Sequence, residues 1–132
     1  MSAQLDTLVV AENLRRELEG RGVKWPLGGF APGLYMGRCT ECGEVFMVAK
    51  GSIRCLPCAV VTVRTHHAEL VRMHNDLIAI VASREAVVGV TDPTDWRYPT
   101  WCTAARSRLS SLREGIDAIA PQVTVLEGYH FR

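Results

Sequence analysis

The chain has 132 residues, is 48% hydrophobic and carries a formal net charge of +1. That is enough apolar material for one domain, or one domain plus a small finger, with a real core. The near-neutral balance argues against a dedicated polyanion binder, whose domain is strongly basic. No run approaches the roughly 18 apolar residues of a membrane-spanning helix, so no membrane partner is expected.

Residues 1–20 read as an N-terminal amphipathic helix. Ser2 is the expected cap, Leu8, Ala11, Leu14 and Leu18 form one face, and Glu12 to Arg16 is a favourable i,i+4 pair. Gly20 and Gly22 are expected to stop it. The start of the chain lacks a positive region followed by an apolar run, so no secretory signal is expected. Residues 21–33 hold Trp25-Pro26, Gly28-Gly29, Phe30 and Pro32-Gly33, which read as a Pro/Gly-rich linker or extended arm, with Trp25 and Phe30 expected to tuck against the finger or the helices.

Residues 34–58 carry the most specific signal. Cys39-Thr-Glu-Cys42 and Cys55-Leu-Pro-Cys58 are two Cys-x-x-Cys pairs separated by twelve residues. Four thiolates at the corners of a tetrahedron suit Zn²⁺, so Cys39, Cys42, Cys55 and Cys58 are the expected metal ligands. Gly43 permits a positive φ at the tip of a metal-binding knuckle. The segments 33–39 and 44–50 then form the two strands of a hairpin. Pro57 and the helix-forming run after Cys58 place the second pair at a helix N-terminus, where N–H groups and the helix dipole favour thiolates. Knuckle, hairpin and helix start in this order describe a treble-clef finger, with a zinc ribbon as the alternative. Five cysteines, four of them at metal spacing, suit a reducing cytoplasm.

The segments Arg38-Cys-Thr-Glu-Cys-Gly43 and Ile53-Arg-Cys-Leu-Pro-Cys-Ala59 resemble the treble-clef fingers of small bacterial and phage proteins, the DksA/TraR family among them. The resemblance covers about 25 residues and implies the four cysteines as ligands. Members of that family bind RNA polymerase and present an acidic coiled-coil tip, but in them the finger follows the helical hairpin instead of preceding it.

Residues 57–120 read as a helical hairpin whose tip loop spans 89–100. Val60, Val63, His67, Leu70, His74, Leu77 and Val81 recur at alternating spacings of three and four, a heptad-like seam. Cys102, Ala105, Leu109, Leu112, Ile116 and Ile119 repeat the pattern on the returning helix, with Thr100 as its cap and Pro121 as its end. Ending the return at Pro121 leaves Val60 and Val63 uncovered, which calls for the N-terminal helix or a second copy in a homodimer. The tip gathers Asp92, Asp95, Trp96, Arg97, Tyr98 and Trp101. Aromatics and Arg are frequent interface anchors, although Trp96 and Trp101 also suit the capping of a hairpin end. Residues 121–132 are a strand or a tail.

The expected fold class is α+β, mostly α: a zinc-bound β-hairpin finger joined to a long antiparallel helical hairpin, with an N-terminal helix. A four-thiolate zinc site has no open position to activate water, and no phosphate-binding, hydrolase or dinucleotide motif is present. His66, His67, His74 and Asn75 are reminiscent of an HNH nuclease, but they fall within nine positions of one helix, so no enzyme is expected. The leading expectation is a cytoplasmic protein-binding regulator or inhibitor of phage or bacterial type, acting through the tip. The alternative is a nucleic-acid-binding finger. In residues 21–64, Arg21, Lys24, Arg38, Lys50, Arg54 and Arg64 outnumber Glu41 and Glu44, a local +4. Of these, Lys24, Arg38, Lys50, Arg54 and Arg64 would contact phosphates.

Overall fold

The computed structural model describes residues 3–127, with side chains described from residue 12 onward. Helix α1 spans Ala3–Gly20, strand β1 Tyr35–Arg38, strand β2 Val45–Val48, helix α2 Leu56–Val88 and helix α3 Thr100–Val125. The class is α+β and mostly α, as the patterning implies. The expected cap Ser2 and the side chains of Leu8 and Ala11 lie outside the described residues, as does the tail from Gly128 to Phe131. No helix is long and apolar enough to cross a membrane among the described residues.

The chain divides into two units, one of residues 1–65 with 121–132 and one of residues 66–120. In the first, α1 ends where its glycines predict. The Val23 N–H bonds the Leu18 carbonyl at 3.1 Å and the Gly22 N–H bonds the Glu19 carbonyl at 3.0 Å. This crossed pair satisfies the last carbonyls of the helix, and Leu18 and Val23 bury the apolar contact that accompanies it. The strands β1 and β2 pair antiparallel, Tyr35 opposite Val48 and Arg38 opposite Val45. Phe46 and Val48 point inward from one face of this hairpin, while Met36 and Met47, directly opposite each other on the other face, stay exposed.

The segment expected to be a linker is instead folded onto the finger. Leu27 and Phe30 exchange both backbone hydrogen bonds, at 2.7 and 2.8 Å, across Gly28 and Gly29. Both glycines have positive φ, +53° and +89°, the geometry of a type I′ turn. A Cβ on Gly28 would lie 2.3 Å from the Ala59 carbonyl oxygen, so the turn rests on the first turns of α2. Leu27 and Phe30 are buried. The inward packing of Phe30 is as expected; the composition did not announce the tight turn that also delivers Leu27 to the core.

The second correction concerns Pro121, which lies inside α3 and does not end it. A proline inside a helix loses one hydrogen bond and crowds the carbonyl four residues back, a cost of about 3 kcal/mol. Packing on the next turn offsets that: Leu126 is fully buried, and the Arg64 guanidinium donates to its carbonyl oxygen. The residues at 121–127 are therefore helix and turn, not strand. Val60 and Val63 are buried in this same unit. The turn at Gly28 meets Val63, so the cover is intramolecular and comes from the segment read as a linker. Thr100 is the first residue of α3, and the Pro99 carbonyl accepts from the Thr103 N–H, so Pro99 occupies the cap position predicted for Thr100.

In the second unit, α2 and α3 run antiparallel, with Glu85 against Arg106 near the tip and Leu70 against Gly115 further along. Val81, Cys102 and Ala105 form the buried seam together with Val90 and Tyr98 from the tip, and Leu77 and Leu109 pack against it. His67 and His74 are half-buried along the predicted seam.

Because the last turn of α3 is held by core burial, Leu126→Ala should cost about 2–5 kcal/mol in urea-induced unfolding. A cost near zero would mean that the chain after Pro121 is a loose tail.

Candidate metal centre and hairpin tip

Two local structures bring four sulfurs together. The first is the knuckle between β1 and β2. The Cys39 N–H bonds the Glu44 carbonyl at 2.8 Å and the Gly43 N–H returns to the Cys39 carbonyl at 3.0 Å. Gly43 takes φ +76° at the turn, which a side chain would resist. The second is the start of α2. The Cys55 carbonyl accepts from the Ala59 N–H at 2.9 Å, which makes Cys55 the cap residue and puts Cys58 in the first turn. Pro57 is the second helical residue, where its missing N–H leaves nothing unsatisfied.

The Sγ atoms of Cys39, Cys42, Cys55 and Cys58 all lie within 4.8 Å of one another. Cys42 and Cys55 approach to 3.8 Å, far beyond the roughly 2.05 Å of a disulfide, and all five cysteines are free. The four are positioned to hold one metal ion. Cys102 is buried in the seam of α2 and α3 and has no part in this cluster.

The electrostatics are those of a cation site. Burial opposes ionisation of Cys39, but backbone N–H groups of Cys42, Cys55 and Glu41 point at its sulfur and bring the thiol down to about 6. Burial pushes Cys58 up to about 11 and raises Cys55 as well. Burial and the neighbouring Cys39 thus hold Cys55 and Cys58 back from ionising, a balance that a divalent ion at the centre would reverse.

The cations assigned to phosphate binding divide into two groups. Arg54 sits 3.2 Å from Glu41 within the knuckle loop and donates to the Gly28 carbonyl at 3.3 Å, bracing the knuckle against the type I′ turn. Arg38 donates to the Gly43 carbonyl at 2.6 Å and closes the knuckle from outside. Arg64 is held on Leu126. Lys24 and Lys50 are exposed. Three of the five thus brace the fold from within the chain.

The tip is two consecutive turns. The Asp95 N–H bonds the Asp92 carbonyl at 3.1 Å, and the Tyr98 N–H bonds the Asp95 carbonyl at 3.0 Å. The Asp92 side chain accepts from the Thr94 N–H and hydroxyl, at 2.9 and 2.7 Å. Asp95 accepts from the Arg97 N–H and from its guanidinium. Trp96 occupies the second position of the second turn and is 90% exposed. Tyr98, named with the tip residues, is buried instead. Its hydroxyl donates to Glu85 at 2.7 Å, and Arg106 reaches both groups, at 2.6 and 2.8 Å. Trp101 lies on α3 under the guanidinium of Arg84, 4.1 Å from the ring centre.

Sequence reasoning missed Glu85 and Arg106. The available signal was position: Glu85 stands four residues after Val81 on the seam face, where an acid needs a partner. It also missed Leu34, Met36 and Met47, exposed apolar side chains on the finger.

No family model, no curated protein and no solved structure matches this chain. The likeness to DksA/TraR fingers therefore rests on the finger residues alone.

The network at the base of the tip makes a pH prediction. Arg106, then Tyr98, hold the Glu85 carboxyl below the usual carboxylate range. A depressed folded pKa contributes stability that is present above the unfolded value of about 4.3 and is lost as pH falls through the folded value. Glu85→Gln should therefore be less stable than the wild type near neutrality, with the gap in urea midpoint closing below about pH 4. A gap that does not change with pH would show that the carboxylate charge contributes nothing there.

Proposed function

We propose that this chain is a non-enzymatic protein whose finger is held by zinc and which binds a protein partner through the tip of its helical hairpin. A tetrahedron of sulfurs about 2.3 Å from one Zn²⁺ has edges of about 3.8 Å, and the Cys42–Cys55 separation of 3.8 Å matches. The all-sulfur donor set favours zinc or iron over harder ions. When bound, the ion supplies folding free energy to the finger. Cys39, Cys42, Cys55 and Cys58 would fill a tetrahedral shell and leave no place for a substrate or water.

The observation that carries the binding role is Trp96. A large aromatic side chain stands in solvent on a turn pinned on both sides by Asp92 and Asp95. A rigid exposed aromatic loses little conformational entropy on docking and is a frequent energetic anchor of interfaces. The two acids are engaged within the turn, so recognition falls on the indole and not on an acidic tip of the DksA/TraR kind. The exposed Leu34, Met36 and Met47 on the finger add a second apolar surface of the sort that protein partners use.

The nucleic-acid alternative loses support on two counts. Arg38, Arg54 and Arg64 act as internal braces. Four thiolates on a divalent ion also bring a net −2, which halves the local +4 of residues 21–64. A regulator or inhibitor of a larger complex is the role this combination suits.

The test uses the immobilised metal-loaded full chain and nuclease-treated lysate of the source cells at physiological salt. A specific protein should be retained by the wild type and lost from Trp96→Ala, with binding insensitive to moderate salt. Retention by Trp96→Ala, or micromolar binding to mixed nucleic acid that persists at physiological salt and falls with Lys24→Ala and Lys50→Ala, would overturn the reading.

A further inference from the structure

The seam of α2 and α3 opens on one side into an apolar groove. Met73, Leu77 and Ile80 on α2 and Trp101, Ala104 and Leu112 on α3 line a groove of about 500 Å³. Spacings of four, three and seven on α2, and of three, eight and eleven on α3, keep each set on one side of its helix. Two helices can bury only the seam between them. A groove this apolar on a two-helix layer calls for a second layer. Ile80 and Trp101 remain 44% and 40% exposed on it.

The charges along the groove indicate what that second layer is. Asp76, which also pairs with Arg72 along α2 at 3.2 Å, lines it from α2 and Arg108 lines it from α3, one charge of each sign on opposite walls. The contact of Leu70 with Gly115 and that of Arg84 with Trp101 place Asp76 and Arg108 at nearly the same level of the hairpin. A two-fold axis parallel to the helices carries each wall onto the opposite one at the same level. The surface is then complementary to itself, which is what an isologous contact requires.

We propose that a second copy of this chain covers the groove, forming a two-fold four-helix bundle in which Asp76 of each chain pairs with Arg108 of the other. In this arrangement each α2 faces the partner's α3, so every neighbouring pair of helices is antiparallel. Ala104 lets the backbones approach within the usual 8–10 Å of packed helices. Trp101 is covered by the partner, whereas Trp96 stays on the tip turn, so the dimer leaves the proposed recognition site open. The proposal does not depend on what Trp96 binds.

The test is sedimentation of the full chain at micromolar concentrations. The wild type should have twice the chain mass of 14.6 kDa. Asp76→Arg alone and Arg108→Asp alone each place like charges together and should weaken the dimer roughly tenfold or more. Both residues are exposed, and the Arg72–Asp76 pair that Asp76→Arg removes is a solvent-exposed one of small effect, so helicity by circular dichroism should change little. Mixing the two single variants should restore a heterodimer, resolved with a mass tag on one of them, and the double variant should restore the homodimer. A monomeric wild type overturns the proposal. A dimer indifferent to the single changes, or single variants that do not recover on mixing, overturns it too, because either result places the interface elsewhere.

Discussion

The convergence of four sulfurs is the constraint on which the first unit depends. Each Cys-x-x-Cys pair is held by a different piece of secondary structure: one by the knuckle between β1 and β2, the other by the opening of α2. Neither piece is stable alone. A two-stranded hairpin of four-residue strands is marginal in water, and a helix start leaves four N–H groups without helical partners. Bringing the thiolates to one point resolves both problems, because the sulfurs accept from the backbone N–H groups of the knuckle and of the first turn of α2. The same convergence sets where α2 begins, since Cys55 is its cap.

Charge around this centre serves the fold before anything else. Arg54 ties the knuckle to the Gly28–Gly29 turn, and Arg38 closes the knuckle loop. A cluster of basic residues near a cysteine finger invites a nucleic-acid reading, but a guanidinium suits a carbonyl or carboxylate a few ångströms away as well as it suits a phosphate. The hairpin uses the same device. Glu85, on the seam face of α2, is satisfied by Tyr98 and Arg106, so one buried acid positions the end of the tip. The tip's own acids are used in the same way, on local turns.

The parts of this architecture legible in the sequence were those written as period or spacing. The three-and-four alternation of Val60 to Val81 and of Cys102 to Ile119 marked both long helices, and paired cysteines twelve residues apart marked the metal site. Illegible parts depended on what happens between distant residues. Pro121 is a helix breaker by local chemistry, yet burial of Leu126 overrides it. Trp25 to Gly33 has linker composition in which only the packing of its aromatics was legible, yet two consecutive positive-φ glycines fold it back so that Leu27 enters the core beside Phe30. Tyr98 looked like its neighbour Trp96, and only the position of Glu85 and Arg106 on the two helices separates a core residue from an exposed one.

The most direct measurement is X-ray absorption at the metal edge of the full chain purified from metal-replete medium. The account predicts one zinc per chain with four sulfur neighbours at about 2.3 Å and no nitrogen or oxygen in the first shell. A shell containing nitrogen or oxygen, a different metal, or chains that are folded and metal-free would contradict it.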